Sequence, residues 1–326
     1  MNKRKLGSFA LSVMLIALSF PAAAQQAKIP KIGWLANRPA TRPDSGPEVI
    51  RRELRALGYV EGKNITFEHR YSEGKLERLP ALADELVRLK VDLILTAIIP
   101  GARAAKNATK TIPIVFWSEG DPVVDGLVDS LARPGENITG FTNISPVIAG
   151  KRLELLKEIV PKLSRVAVLW TPGQSDQSWK QSELAAQELG LQIHSMEVRN
   201  NDQFDTAFKE ATKAGSTALA VTPTPLANSN QKLIADLAAK NRLPAIYPRG
   251  EYVVESGGLM SYGADRSESF RRVTVFVDKI LKGTKPADIP VEQPKKFEFI
   301  INLKAAKQIG LIVPPNVLAR ADRVIK

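Results

Sequence analysis

The chain has 326 residues, of which 44% are hydrophobic and 25% charged, and it carries 46 Lys and Arg against 34 Asp and Glu. At roughly 150 residues per domain, this length predicts two domains, each large enough to bury its own core. The chain has no cysteine, and its two histidines are His69 and His194, which excludes disulfides, a cysteine nucleophile, a thiolate zinc site, an iron–sulfur cluster and a multi-histidine metal site.

Residues 1–24 have the layout of a cleaved export signal. A cationic start at 2–5 precedes an apolar stretch over 6–20, and small residues follow at 22–24. The apolar stretch is shorter than the roughly 20 residues that a membrane span needs. We therefore expect cleavage near Ala24 and a mature protein that is free in the periplasm, because a lipid anchor at the cleavage site would need a cysteine.

Loss of this segment would remove three of the 46 cations and no anion, which leaves 43 basic against 34 acidic residues. The basic residues are interspersed with acidic ones, as at 48–55 and 73–78, and they form no stripe with interleaved aromatic residues. This pattern favours a solvated basic surface and predicts no nucleic-acid partner.

Strand and helix signals alternate through the first half of the mature chain. Apolar strands are predicted over 32–36, 65–71, 92–96 and 112–117. Helices are predicted from apolar residues at helical spacing, at Ile50, Leu54 and Leu57, at Leu79, Leu82, Leu86 and Leu89, and in the alanine-rich segment 102–108. Continuous apolar strands separated by helices imply a parallel sheet that is covered on both faces.

The same order of elements starts again after Gly140. Strands are predicted over 166–170, 192–198, 217–222 and 245–247, and helices over 177–189, at Phe204, Phe208 and Ala211, and at Leu233, Ile234 and Leu237. Landmarks of the two halves pair at near-constant offsets: Gly58 with Gly190, Thr96 with Thr222, Pro113 with Pro244, and Gly140 with Gly263. Two similar α/β halves predict two doubly wound lobes that face each other.

The remaining residues are too few for a third lobe. Asp265 and Glu268 predict a capping box that opens a helix ending at Gly283. A proline-rich connector is expected over 286–294, a strand over 297–301, and a helical tail over 303–325 that is interrupted at Pro314 and Pro315. We expect these pieces to return to both lobes and to form hinge strands.

The expected division follows from that return. Lobe 1 would consist of residues 27–141 plus 264–289, and lobe 2 of residues 142–263 plus 290–326. The fold class is therefore α/β, with two Rossmann-like, doubly wound lobes of mainly parallel sheet joined by hinge strands.

Enzyme motifs are absent from the sequence. It contains no G-x-G-x-x-G, no P-loop, no G-x-S-x-G and no H-E-x-x-H. We therefore predict no catalytic residue, no metal and no cofactor, although a mechanism that uses only carboxylates stays open.

Polar residues follow several of the predicted strands. Open parallel sheets bind ligands beyond the carboxyl ends of their strands, close to helix N-termini. The candidates at such positions are Asn37, Arg38, Thr96, Ser118, Asp121, Thr171, Ser175, Thr222 and Tyr247, with Tyr262 near a lobe crossing. Their hydroxyls, together with unpaired helix amides, suit a carboxylate or another polar group.

Each candidate also has a plainer structural explanation. Ser118 and Asp121 are at positions that would cap a helix beginning near Pro122, and Thr171 belongs to a Thr-Pro pair typical of a turn. Arg38 is equally typical of a solvated surface residue. Trp34 and Trp117 lie in strands, where core packing is the simpler interpretation.

A 20-residue run, DPVVDGLVDSLARPGENITG at 121–140, resembles the signature of an ABC transporter substrate-binding family. Similar family-like stretches lie at 54–62, 257–263, 279–286 and 299–310, so the resemblance spans about residues 30–320. It implies a type I periplasmic-binding-protein fold, whose two lobes close on a small solute. The better-known members bind tryptophan or tyrosine.

The resemblance also implies a set of ligand contacts. These are the loop after Ala36, then Thr96, Ser118, Asp121, Thr142, the Thr171 loop, Thr222, Tyr247 and Tyr262. The first of these loops, with Asn37-Arg38-Pro39 followed by Thr41-Arg42-Pro43, departs from the family's commoner pattern. For that reason an aromatic amino acid is not assumed as the solute.

The resulting expectation is a monomeric, non-enzymatic component of an ABC import system. It would capture a small polar, amino-acid-like or aromatic solute between its lobes and deliver it to a permease in the inner membrane. Two alternatives stay open. One is a periplasmic sensor with the same fold that docks on a receptor or kinase, and the other is a secreted enzyme that depends on carboxylates.

Overall fold

The computed structural model describes residues 28–37, 45–144 and 146–326. The expected export signal and Arg38 lie outside these residues. Strands and helices alternate through the described residues and build two separate sheets. None of the helices within these ranges is long and apolar enough to cross a membrane.

The first sheet has five strands, all parallel, in the order β2-β1-β3-β4-β5. They are β1 (Lys31–Ala36), β2 (Thr66–Tyr71), β3 (Leu93–Thr96), β4 (Ile114–Ser118) and β5 (Ile138–Thr142). The connecting helices are α1 (Ser45–Ala56), α2 (Leu79–Arg88) and α3 (Ile99–Ala108). We call this sheet and the helices packed on it lobe 1.

The second sheet has seven strands in the order β12-β11-β10-β9-β8-β6-β7. They are β6 (Arg165–Trp170), β7 (Gln192–Glu197), β8 (Ala218–Val221), β9 (Ala245–Tyr247), β10 (Met260–Ala264), β11 (Phe297–Asn302) and β12 (Arg323–Ile325). Only the β10–β11 pair is antiparallel among these described strands. This sheet and its helices form lobe 2.

The helices after β5 complete the two lobes. They are α4 (Ala149–Ile159), α5 (Asp176–Glu188), α6 (Phe204–Lys213), α7 (Pro225–Ser229), α8 (Gln231–Lys240), α9 (Glu251–Val254), α10 (Arg266–Leu281), α11 (Leu303–Gln308) and α12 (Pro315–Leu318). Apolar side chains cover both faces of each sheet. This burial explains why the strands appear in the sequence as continuous apolar runs.

The predicted internal repeat is confirmed by the strand order. β7-β6-β8-β9-β10 repeats the order β2-β1-β3-β4-β5, the doubly wound arrangement. Gly140 and Gly263 occupy matching places on the fifth strand of each repeat. A Cβ at Gly140 would lie 2.2 Å from the Phe116 carbonyl oxygen, and one at Gly263 would lie 2.0 Å from the Pro248 carbonyl oxygen. Both repeats therefore need glycine for the same close backbone approach.

The described chain passes between the lobes three times. The first passage joins β5 to α4, and the second joins β10 to α10, which packs on the first sheet through Phe270, Val273 and Phe276. The third follows Glu292, which bridges to Phe141 beside β5 before the chain enters β11. Glu292 bridges to Phe141, and the Ser269 hydroxyl of α10 donates to Asn143 Oδ1, so the three segments lie close together.

Several local expectations were wrong or incomplete. No helix begins near Pro122, because the chain there folds into successive turns and Gly126 adopts a left-handed conformation at φ 64°. Leu57 and Leu233 are 46% and 37% exposed and are not core residues. The expected helical tail contains α11 and α12 but ends in the strand β12, which pairs with β11.

We expect Gly140→Ala to lower the free energy of unfolding by about 3 kcal/mol, at the upper end of overpacking costs, because the added methyl meets a backbone atom that cannot turn away. Gly150→Ala in α4 is the control. Its nearest neighbour would be the Ala185 methyl at 3.2 Å, so a change within about 1 kcal/mol is expected. Urea unfolding measures both; equal losses would show that the close approach in β5 is not required.

Candidate ligand-binding cleft

A cavity of about 700 Å³ lies between the two lobes. This volume is within the range of small-molecule sites, roughly 300–1,000 Å³. Lobe 1 lines it with residues that include Trp34, Asn37, Leu79, Ile98, Arg103, Asn107, Trp117, Ser118, Glu119 and Asp125. Lobe 2 contributes residues that include Gln174, Ser175, Asp176, Gln177, Pro223, Thr224, Asn228, Gln231 and Arg249.

The parallel strands explain why these residues meet. Asn37 follows β1, Ser118 ends β4, and Arg249 comes two residues after β9. The carboxyl ends of parallel strands lie at one edge of each sheet, and here the two edges face each other across the cavity. The N-terminal residues of α3 and α5 also line the cavity, so unpaired helix amides lie at its wall.

Two tryptophans form part of the wall in lobe 1. Trp34 and Trp117 line the cavity although they are only 2% and 7% exposed. Trp117 packs on Phe270 of α10, with ring centroids 5.1 Å apart. The indole Nε1 of Trp34 is buried and has no hydrogen-bond partner among the described residues. A buried donor without an acceptor is costly, so this position favours a ligand that supplies one.

Arg249 joins the two lobes at the cavity. Its Nη2 donates to Glu119 Oε1 at 2.7 Å, and the two side chains are 11% and 21% exposed. The guanidinium lies 5.7 Å from the centre of the Trp117 ring. Burial lowers the pKa of Arg249, but the carboxylates of Glu119 and Glu251 raise it more, so the net shift is upward and the cation persists.

A second contact crosses the cleft beside the first. The backbone N–H of Asp121 donates to Gln177 Oε1 of α5 at 3.1 Å. The Asp121 carboxylate accepts from the Val123 N–H at 2.9 Å and so stabilises the turn that follows β4. Burial raises the pKa of the neighbouring Asp125, an effect that Arg103 and Gln177 oppose. The residues after β4 are therefore held by both lobes.

A hydroxyl network supports the wall of lobe 2. The Ser175 hydroxyl accepts from the Thr171 N–H at 3.0 Å and donates to the Thr171 carbonyl at 3.2 Å. The Thr222 hydroxyl lies 3.1 Å from Ser175 Oγ and 2.8 Å from the Leu169 carbonyl oxygen. Thr224 caps α7 by accepting from the Ala227 N–H. These side chains position the loop at 171–175.

Another unsatisfied group lies next to the first turn of α3. Thr96 ends β3 and is 1% exposed, and its hydroxyl has no partner in the described parts of the chain. Gly101 lies so close that a Cβ there would be 2.3 Å from Thr96 Oγ1. No side chain caps this helix, and Ile98 and Ile99 at its start line the cavity.

The structure brings only some of the predicted site residues to the cavity. Asn37, Ser118 and Ser175 line it, and Arg38 lies outside the described residues. The other predicted residues do not line it: Thr96, Asp121, Thr142, Thr171, Thr222, Tyr247 and Tyr262. Thr96, Asp121, Thr171 and Thr222 lie directly behind lining residues, where they support the wall.

The two tyrosines lie away from the cavity, contrary to expectation. Tyr247 is fully buried and stacks on Tyr252, with ring centroids 4.7 Å apart, and burial raises the pKa of its hydroxyl. Tyr262 stacks on Phe297 and meets Phe299 edge-on, on the second sheet. Thr142 is likewise buried, and its hydroxyl donates to the Gly120 carbonyl. Packing explains all three positions: Thr142 ends β5, Tyr247 ends β9, and Tyr262 lies in the middle of β10.

Sequence reasoning overlooked Arg249 and Gln177. The core packing expected for Trp34 and Trp117 is confirmed, and both residues also line the cavity. Arg249 comes two residues after Tyr247, at the same strand end. A positive charge so close to a buried apolar strand is unusual, and this feature of the sequence could have identified Arg249 as a site residue. Nothing in the pattern distinguishes Gln177 from other polar residues at a helix start. No group of three or more acidic or histidine side chains within the described ranges is arranged to hold a metal ion.

Comparison with known proteins identifies the class. The family described as ABC transporter substrate binding protein matches residues 46–325. The chain belongs to this family, and its fold is that of the type I periplasmic binding proteins. It is therefore a substrate-binding protein of the ABC transporter family.

Individual relatives agree with this class. A tyrosine-binding protein of Clostridioides difficile is 28% identical over 271 residues, which cover 82% of this chain and 77% of the relative. A conserved domain protein from Vibrio cholerae has a TM-score of 0.82 at 28% identity, over 91% of this chain and 100% of that one. An ABC domain from Streptococcus pneumonia in complex with L-Trp has a TM-score of 0.79 at 24% identity, over 91% and 99%.

We expect Ser175→Ala to lower the free energy of unfolding by about 1–3 kcal/mol, because it leaves the buried Thr171 N–H and the Thr222 hydroxyl short of a partner. Ser182→Ala on the same helix is the control, since its buried hydroxyl makes one bond, to the Ser178 carbonyl. Its loss should be about 1 kcal/mol or less. Urea denaturation distinguishes the two, and similar losses would argue against the network.

Proposed function

We propose that this protein is a periplasmic receptor that captures a small solute bearing a carboxylate in the cleft between its lobes and delivers it to an ABC permease. In this proposal lobe 1 comprises residues 28–141 plus 264–292, and lobe 2 comprises residues 142–263 plus 293–326. The added residues are those around Val291, which packs in the core of lobe 1. The receptor acts as a monomer and needs no cofactor.

The observation that carries the proposal is a pair of cavity-lining side chains, each of which has a buried N–H donor without an acceptor. Trp34 Nε1 and Arg249 Nε are both buried without a hydrogen-bond partner in the described residues, and both residues line the same cavity. The uncapped start of α3 adds backbone N–H groups and the positive end of a helix dipole. A carboxylate supplies the acceptors that these groups lack and is favoured at helix N-termini.

The rest of the wall indicates the second part of the solute. Trp34, Trp117, Leu79 and Ile98 offer aromatic and aliphatic surface beside those donors. An amino-acid-like or aromatic carboxylate therefore fits better than a highly hydroxylated sugar, because the latter needs many more polar partners. The names of the relatives, which mention tyrosine and L-Trp, point in the same direction.

The proposed closure of the lobes on the solute follows from the distribution of these donors between the two lobes. The donors of Trp34 and α3 belong to lobe 1, and Arg249 belongs to lobe 2. A solute that contacts both has more contacts when the lobes are together, so it shifts the population toward the closed form. The permease then distinguishes the closed form from the open one by its surface.

Differential scanning fluorimetry against the twenty amino acids, related aromatic acids and a set of common sugars tests the proposed function. The purified protein should be stabilised by one or more carboxylate-bearing compounds, since binding to the folded state alone raises its stability. Each hit is then compared with its carboxamide and its decarboxylated amine, which should not stabilise it. Hits that are sugars, or that stabilise equally without the carboxylate, would contradict the proposal.

We expect Trp34→Phe to weaken binding of the strongest carboxylate hit by about 10-fold or more, because the substitution removes the unpaired Nε1 donor and part of the aromatic wall. Trp179→Phe is the matched control, since Trp179 packs on Trp170 in lobe 2 and does not line the cavity. Isothermal titration calorimetry provides both dissociation constants. Unchanged affinity for the Trp34 variant would exclude this residue from the site.

A further inference from the structure

The contact between Glu119 and Arg249 has a property that the other ion pairs of the described chain lack. Glu119 follows β4 of lobe 1, and Arg249 follows β9 of lobe 2, the corresponding strand of the second repeat. The pair therefore joins the same loop of both repeats across the cleft. Ion pairs such as Arg70–Glu85 or Arg320–Glu158 connect residues within one lobe.

The pair is also the most buried of the salt bridges measured. Arg249 and Glu119 are 11% and 21% exposed, whereas the partners of the other bridges include at least one side chain exposed by 25% or more. Arg249 is further covered by the Trp117 ring. Glu119 belongs to lobe 1 and Arg249 to lobe 2. Both side chains are buried only when the lobes are together, because each lobe covers the charged side chain of the other.

Movement of the lobes would change the surroundings of both charges. When the lobes separate, the guanidinium and the carboxylate lose each other and gain water. When the lobes approach, Arg249 without Glu119 would keep only Glu251, and Glu119 without Arg249 would keep only Arg152, so either charge alone would be buried with too little counter-charge, which is unfavourable. Together they offset that cost, and the adjacent hydrogen bond from the Asp121 N–H to Gln177 contributes in the same direction.

We propose that Glu119 and Arg249 form a latch between the lobes that sets the closed population before any solute arrives. They act as positioning residues, because they determine how often the two halves of the site are assembled. The apparent dissociation constant equals the intrinsic constant divided by the closed fraction. The pair thereby scales the affinity for every solute, whichever compound the cleft accepts.

Spin labels on the ligand-free protein measure this population directly. The chain has no cysteine, so Asp84→Cys in α2 and Leu233→Cys in α8 give two specific labels. Both residues are exposed, and the starts of their helices line opposite walls of the cavity. The protein is unfolded in guanidinium and refolded by dialysis to remove any bound solute, and the distance distribution is then recorded by pulsed electron paramagnetic resonance.

In the ligand-free wild-type protein, the distribution of distances between the two spin labels should include a measurable short-distance population, which represents the closed lobes. Glu119→Gln removes the carboxylate that accepts from Arg249 and leaves Glu251 as its remaining nearby carboxylate, so it should lower the ratio of short to long distances by about tenfold. The double variant Glu119→Gln with Arg249→Met removes both charges of the pair and should recover part of the short-distance population. Glu158→Gln, which breaks a bridge within lobe 2, should leave the distribution unchanged.

Three results would overturn the latch. They are a ligand-free wild type with only long distances, a Glu119→Gln distribution equal to that of the wild type, and a double variant as open as the single one. Circular dichroism checks that each variant is folded. If Glu119→Gln does not fold, Glu119→Asp replaces it, since it keeps the charge but withdraws it by one methylene, and an unchanged distribution would again contradict the latch. Because no solute is present, these results are independent of the proposed function.

Discussion

The whole site depends on the burial of parallel strands on both faces. Strands such as β1, β3 and β4 carry almost no polar side chains along their length, because helices cover each side of the sheet. Polar side chains of these strands are therefore confined to the strand ends. Two repeats with this property place two such edges opposite each other, and the 700 Å³ cavity between them is lined by Trp34 and Arg249, each with a buried donor that lacks a partner in the described residues. Fold and binding site thus have a single physical origin.

The repeat is conserved in geometry and diverges in chemistry. Gly140 and Gly263 preserve the same backbone approach in both sheets. The loops after the fourth strands, by contrast, contain Glu119 in lobe 1 and Arg249 in lobe 2, which carry opposite charges. A duplicated scaffold needs equal packing in its halves, but its facing surfaces must be complementary. In this chain the strand interiors provide the equal packing, and the strand ends provide the complementary charges.

The sequence predicted the fold better than the site, for a physical reason. Periodicity reports burial averaged over a strand, and this average located all the strands of the two repeats except β5 and β10, which were recognised only as matching segments. At a strand end the average no longer applies. Ile246 and Tyr247 point into the two cores on opposite faces of the second sheet, and the cavity residue is Arg249, two positions later.

The segment after β4 shows the same limit in a different form. Asp121 and Pro122 are residue types that open a helix, and the Asp121 carboxylate does accept from the Val123 and Val124 N–H groups. The left-handed Gly126 then ends the turn before a helix can propagate. Local capping chemistry is visible in a sequence, but the length of the element that it begins depends on tertiary contacts, here with Gln177 of the other lobe.

The three passages between the lobes restrict how the molecule can move. Three nearly adjacent covalent connections tolerate bending about the line that joins them, but they resist twisting and sliding of one lobe over the other. The relative motion is thereby reduced to approximately one degree of freedom. A contact far from the three connections exerts a larger torque about the line through them than an equally strong contact close to that line. A weak interaction at the entrance of the cavity can therefore influence the angle between the lobes more than a strong interaction beside the connections.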